Sequence, residues 1–95
     1  MELKNYKMKK QDHFLESVQC VLNFGDMYHL SVIKGHDTGS ETAPYEIAVF
    51  KDGDLVRMPG ITSERSEVKN YLTESDVNLI IKKMVCLTRE IPKQI

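Results

Sequence analysis

The dipeptide Asp52-Gly53, set between the apolar-rich runs Tyr45–Lys51 and Asp54–Met58, constrains this chain more than any other feature. Asp-Gly between two such runs is among the strongest short-range hairpin signals, so the segment reads as a tight β-hairpin. A two-residue turn sets the register. Val49 then opposes Val56 and Ile47 opposes Met58 on one apolar face, with Ala48 and Arg57 on the other. Met58-Pro59-Gly60 ends the second strand, with Pro and Gly where a type II turn takes them.

A second hairpin precedes this one. Val18–Phe24 and Met27–Lys34 are rich in aliphatic residues and flank Gly25-Asp26, which reads as a type II′ turn. That turn opposes Phe24 to Met27, Leu22 to His29, Cys20 to Ser31 and Val18 to Ile33. On the other face Asn23 meets Tyr28, Val21 meets Leu30 and Gln19 meets Val32. Both faces then carry apolar side chains, as in a sheet covered on both sides or one with an intermolecular face. Residues 35–44, GHDTGSETAP, form a polar loop longer than an ordinary hairpin connection.

The clearest helical signal lies downstream. Thr73-Glu74-Ser75-Asp76 has the form of a capping box, in which the threonine oxygen accepts an N–H left unpaired at a helix start. Val77, Ile80, Ile81, Met84 and Leu87 follow at helical spacing and mark one apolar stripe. Glu74 and Asp76 complement the positive end of the dipole, and Lys82, Lys83 and Arg89 lie towards the negative end. Pro92 stops the helix from continuing. Residues 64–72 read as one short turn before it, with Val68, Tyr71 and Leu72 facing inward. The expected fold is α+β: an antiparallel sheet of about four strands, made of two hairpins, packed against one C-terminal helix. Residues 17–92 form a single domain. Residues 1–16 form a lysine-rich, partly ordered N-terminal segment that reads as a frayed helix, an extra strand or a tail.

Composition limits the function classes. The 95 residues are 41% hydrophobic and 28% charged, which is enough for one domain with its own core, and the net charge of −1 gives no field to gather nucleic acid or an anionic membrane. No secretory signal or spanning segment is visible, so the expected location is cytoplasmic. Cys20 and Cys86 sit in apolar segments. They read as two buried free thiols, with a disulfide between them as the alternative.

The search for chemistry returns little. His13, His29 and His36 are scattered without metal-ligand spacing, so no metal site or cofactor is expected. His36-Asp37 could supply two ligands, but a solvated loop is the plainer reading. Cys20 with His29 on the neighbouring strand could form a thiol–imidazole pair, yet aliphatic residues flank the cysteine where a reactive thiol needs an electropositive setting. Asp52 and Asp54 bracket a turn glycine. No phosphate-binding or nucleophile-elbow motif occurs, and the expectation is that the chain is not an enzyme. Lys82, Lys83, Arg89 and Lys93 against Glu90 leave residues 77–95 net positive. Dipole complementarity alone accounts for that, and nucleic acid is not the expected partner.

One irregularity stands out. At about 100° per residue, Leu79 and Cys86 fall nearly opposite the core stripe, bracketed by Lys82 and Lys83. Either Leu3, Tyr6 or Phe14 folds over them, or they belong to a contact surface for a second copy or another protein.

The segments FGDMYHLSVIKG, PYEIAVFKDGDLVRMPGIT and VKNYLTESDVNLIIKKM, within residues 24–87, resemble a group of small bacteriophage and prophage proteins. The resemblance rests on fold-forming positions: Tyr45, Ile47, Val49, the Asp52-Gly53 turn and the Thr73 helix start. It implies a phage origin and, by analogy, a stoichiometric inhibitor of a host protein acting in the host cytoplasm, anti-CRISPR and other anti-defence proteins being examples. The expected partner-binding residues are His36, Asp37, Thr38 and Glu41 in the loop, and Leu79, Lys82, Lys83 and Cys86 on the helix. Two further readings are a homo-oligomeric sponge for a nucleotide signal and a nucleic-acid-binding regulator.

Overall fold

Asp52 and Gly53 both take positive φ, +52° and +86°, and join β4 (Tyr45–Lys51) to β5 (Asp54–Val56) in the expected register, Val49 opposite Val56. The computed structural model describes residues 1–11 and 17–95. The remaining strands are β1 (Lys9–Lys10), β2 (Val18–Phe24), β3 (Tyr28–Lys34), β6 (Val68–Leu72) and β7 (Lys93–Gln94), and the helix α1 covers Glu74–Thr88.

The class is α+β, as expected, but the sheet is larger than four strands. β2, β3 and β4 are full-length and antiparallel, and each outer edge is covered by two short strands placed end to end. β1 pairs with Val18 and Gln19 while β7 pairs with Leu22 and Asn23. On the far side, β5 takes Val49–Lys51 and β6 takes the other end of β4. Short, divided edge strands leave no long unpaired ladder for another chain to extend.

The first hairpin departs from expectation by one residue. Its loop has three residues, Gly25, Asp26 and Met27, with Gly25 at φ +72°. Phe24 therefore pairs with Tyr28, Asn23 with His29, Leu22 with Leu30 and Cys20 with Val32. The one-residue shift moves every side chain of β3 to the other face relative to β2. Cys20, Leu22 and Phe24 now lie beside Leu30 and Val32, which in turn meet Val49 and Ile47 of β4. All seven are buried. The apparent two-faced apolar hairpin was a consequence of the wrong register.

Residues 68–72 are a strand and not a helical turn. Tyr71 sits at a bulge at φ +57°, 63% exposed, so of the three residues expected to face inward only Leu72 is fully buried. β5 ends at Val56, so Met58 does not pair with Ile47, whose partner is Lys69. The type II turn forms as read: Gly60 has φ +88° and the Ile61 N–H donates to Met58 O at 2.9 Å.

The helix lies on the face of the sheet that carries the core. Thr73 Oγ1 accepts from the Asp76 N–H at 3.1 Å and Asp76 Oδ2 accepts from the Thr73 N–H at 2.9 Å, the reciprocal pair of a capping box. Val77, Ile80, Ile81 and Met84 are buried; Leu87, expected to continue the stripe, is 60% exposed. The helix ends at Thr88 with Arg89 in the left-handed region. That end precedes Pro92 by several residues, and the chain then turns back to form β7.

Residues 1–11 are joined to this body. Leu3 is buried in the core, and its N–H donates to Asn78 Oδ1 at 2.7 Å. The Lys7 N–H donates to Gln94 Oε1, and Gln94 Nε2 donates back to Lys7 O. Sheet pairing thus extends past both 17 and 92, the bounds read from the sequence. The readings made on His13 and Phe14 lie outside the described residues. Among the described residues no helix is long and apolar enough to cross a membrane.

Candidate functional site

Two separate surfaces collect the residues singled out in the sequence. The first is on the outer face of α1. Leu79, Lys82, Lys83, Cys86 and Leu87 recur at three- and four-residue spacing, so they share one side of the helix. The Pro59-Gly60 turn rises beside them, tied to the helix by Lys83 Nζ, which donates to Gly60 O at 3.1 Å. Helix and turn enclose a groove of about 430 Å³ with almost wholly apolar walls. Ile61, fully buried, forms part of its floor.

The groove is open. Leu3 tucks against the helix one residue from Leu79, yet Leu79 remains 53% exposed and Leu87 60%. Tyr6 packs on the core cluster. Cys86 is an exposed free thiol, which corrects the reading of two buried ones, whereas Cys20 is buried and free. Burial pushes the Cys20 thiol pKa up, with Lys9 opposing the rise, so it is poorly disposed to react. His29 pairs with Asn23 and Phe50, away from Cys20 on the opposite face of the sheet, so the thiol–imidazole pairing does not form.

The second surface is the loop 35–44. Thr38 organises it from inside: its hydroxyl accepts from the Gly35 N–H at 2.8 Å and lies 2.9 Å from Gly35 O and 2.6 Å from Pro44 O, either of which can take its single proton. At 6% exposure Thr38 staples the loop and is not a free contact residue. Gly39 is required by closeness, since a Cβ there would stand 2.0 Å from Ala43 O. His36 and Asp37 line a cleft of about 400 Å³ whose floor holds Ile33 and Glu46. Glu41 lies in an adjoining cleft with His36 and Ser40. Burial raises the Glu46 pKa.

All four helix residues expected to bind a partner are thus brought into one groove. The four loop residues divide between two adjoining clefts and a structural staple. Sequence reading missed Pro59, Gly60 and Leu87 in the groove, and Glu46 and Ile33 beneath the loop. The alternation along β4, which puts Glu46 on the face opposite Ile47, was the available signal for Glu46. Among the described residues no group of three or more His, Cys, Asp or Glu is placed to hold a metal ion. No family model, curated protein or solved structure matches this chain.

Proposed function

We propose that this chain is a non-enzymatic binding protein of bacteriophage type that occludes a host protein, with the groove between α1 and the Pro59-Gly60 turn as its docking surface. The supporting observation is that groove itself: half-exposed Leu79 and Leu87, the edge of Cys86 and the Pro59 ring form a continuous apolar concavity. Burying such a patch drives association, at roughly 25 cal/mol per Å² of apolar surface. Lys82 and Lys83 stand on it, and no carboxylate is among the residues that line it. The partner therefore presents apolar anchors flanked by Asp or Glu. The same two lysines disfavour a second copy docking groove to groove, because like charges would meet.

In this reading the protein works in the host cytoplasm by covering a surface that its target needs, as anti-CRISPR and other anti-defence proteins do. The nucleotide-sponge alternative would use the loop cleft, where Asp37 and Glu46 repel phosphate. A nucleic-acid regulator would need a wider basic face than two adjacent lysines.

A photo-crosslinker carried on Cys86 tests the proposal in a lysate of a susceptible bacterium. The expected result is one protein captured stoichiometrically, its activity inhibited by the unlabelled chain. Capture and inhibition should both be lost in Leu79→Asp and in Lys82→Glu/Lys83→Glu. A captured protein whose activity is unaffected, or capture indifferent to these substitutions, overturns it.

A further inference from the structure

The face of the sheet turned away from α1 carries no second layer among the described residues. Ladder pairing fixes which side chains stand on it. Asn23, His29, Phe50 and Leu55 form one row from β2 to β5, and Val21, Ser31, Ala48 and Val68 form the next, from β2 to β6. An antiparallel sheet that meets water on one face alternates to polar residues there. This face instead holds Val21, Ile33, Phe50 and Val68 half-buried, with Leu55 45% exposed at one margin. At the other margin Ile95, 58% exposed, donates its N–H to Val21 O. The centre of the face is low, because the small residues Ser31 and Ala48 lie side by side. Ser31 Oγ accepts from Gln19 Nε2 at 2.8 Å, so this hydroxyl is already paired within the chain and can be covered at little cost.

We infer that this face binds a second copy of the chain, sheet against sheet, with the two-fold axis running along β3. Its area suits such a partner. Strands of seven residues at about 3.3 Å per residue, five across at about 4.8 Å, give a face of roughly 23 by 24 Å. Two copies then cover about 1,100 Å² before side-chain corrugation is counted, above the ~1,000 Å² expected of a specific interface. Charge selects the arrangement. Lys9 and Lys93 stand along the β1/β7 edge of the face, opposite Gln19 and Asn23, while Glu46 stands on β4 and Asp52 at the tip of the β4–β5 turn. None of the four meets an oppositely charged side chain among the described residues. A two-fold along β3 lays the basic edge of one copy over the acidic side of the other, Lys9 towards Glu46 and Lys93 towards Asp52. A two-fold across the strands would set Lys9 against Lys93, like charge on like. The favoured axis also places Val21 over Ala48 of the second copy, large against small, as packed sheets require. The α1 groove lies on the other side of each chain. Both grooves therefore stay open in the dimer, which goes beyond the docking reading and does not depend on it.

Sedimentation velocity of the full chain over a concentration series, paired with methyl relaxation by a soluble gadolinium chelate, tests the dimer. The expected result is a reversible dimer in which the methyls of Val21, Ala48, Leu55 and Val68 become shielded while those of Leu79 and Leu87 stay accessible. Leu55→Lys, at an exposed position, and Ala48→Arg, at the centre of the face, should each keep the parent far-UV spectrum. Each should weaken the dimer at least about 10-fold by setting a charge against apolar side chains. Lys9→Glu and Glu46→Lys should each weaken it, and the double variant should recover most of the loss; no recovery overturns the two-fold along β3. Leu79→Asp, in the groove, should leave the dimer intact. A dimer indifferent to both face substitutions, or one lost in Leu79→Asp, overturns the proposal. So does a chain that stays monomeric at millimolar concentration, whether the face then lies open to the chelate or is covered by another protein.

Discussion

Two truncations two residues apart on α1 separate its core-facing side from its binding side. Ile81 has 0% exposure and lies in the cluster formed with the sheet, whereas Leu79 is 53% exposed. Ile81→Ala removes three buried carbons and leaves a cavity, for a cost of about 2–5 kcal/mol. Leu79→Ala removes a side chain already half in water. Leu and Ala are both strong helix formers, so backbone propensity changes little, and the lost burial is worth about 1 kcal/mol or less. A domain of this size is stable by roughly 5–15 kcal/mol, and each kcal/mol moves Tm by about 4–8 °C. Ile81→Ala should therefore melt at least about 8 °C below the parent, with Leu79→Ala close to it. Thermal melts followed by far-UV circular dichroism read the temperatures, and urea unfolding with the slope m unchanged reads the free energies. Equal costs for the two substitutions would refute the helix orientation on which the docking groove depends.

The helix cap gives a second test, because Thr73→Ala should cost about 1 kcal/mol by leaving the Asp76 N–H without its acceptor. The hydrogen bond from the Thr73 N–H holds the Asp76 carboxyl below its ordinary pKa. Its stabilisation is thus present above the unfolded carboxylate pKa and is lost as pH falls through the depressed folded value. The stability gap between the parent and Asp76→Ala should narrow in acid, and a gap constant with pH would refute this. Gly39→Ala forces a Cβ onto Ala43 O and should destabilise by about 1–3 kcal/mol, with amide shifts confined to residues 35–44. Unchanged stability and an unchanged loop spectrum would show that the close approach does not exist.

How much of this was legible in the sequence depended on the range of the interaction that decides each element. The Asp52-Gly53 turn, the Pro59-Gly60 turn and the Thr73–Asp76 cap are settled within a few residues, by φ preferences and local hydrogen bonds, and each formed as read. The apolar stripe was correct over Val77–Met84. It failed at Leu87, because the inward side of the last turn falls to Met84, Val85 and Thr88 and leaves Leu87 on the flank, 60% exposed. Residues 68–72 carry weak strand character of their own and become β6 because β4 has an unpaired edge there. Of the binding surfaces, the helix residues were legible as an anomaly of periodicity. The groove was not, since its second wall is a turn about twenty residues away in the chain.

The amino-acid order alone determined where the chain turns, where its helix starts and which side of the helix is apolar, because those outcomes rest on contacts between near neighbours. The tertiary structure alone decided the register of β2 on β3. A glycine at positive φ serves a two- or a three-residue loop equally well. The choice fell to burying Leu30 and Val32 beside Cys20, Leu22, Ile47 and Val49, a condition that no local window contains.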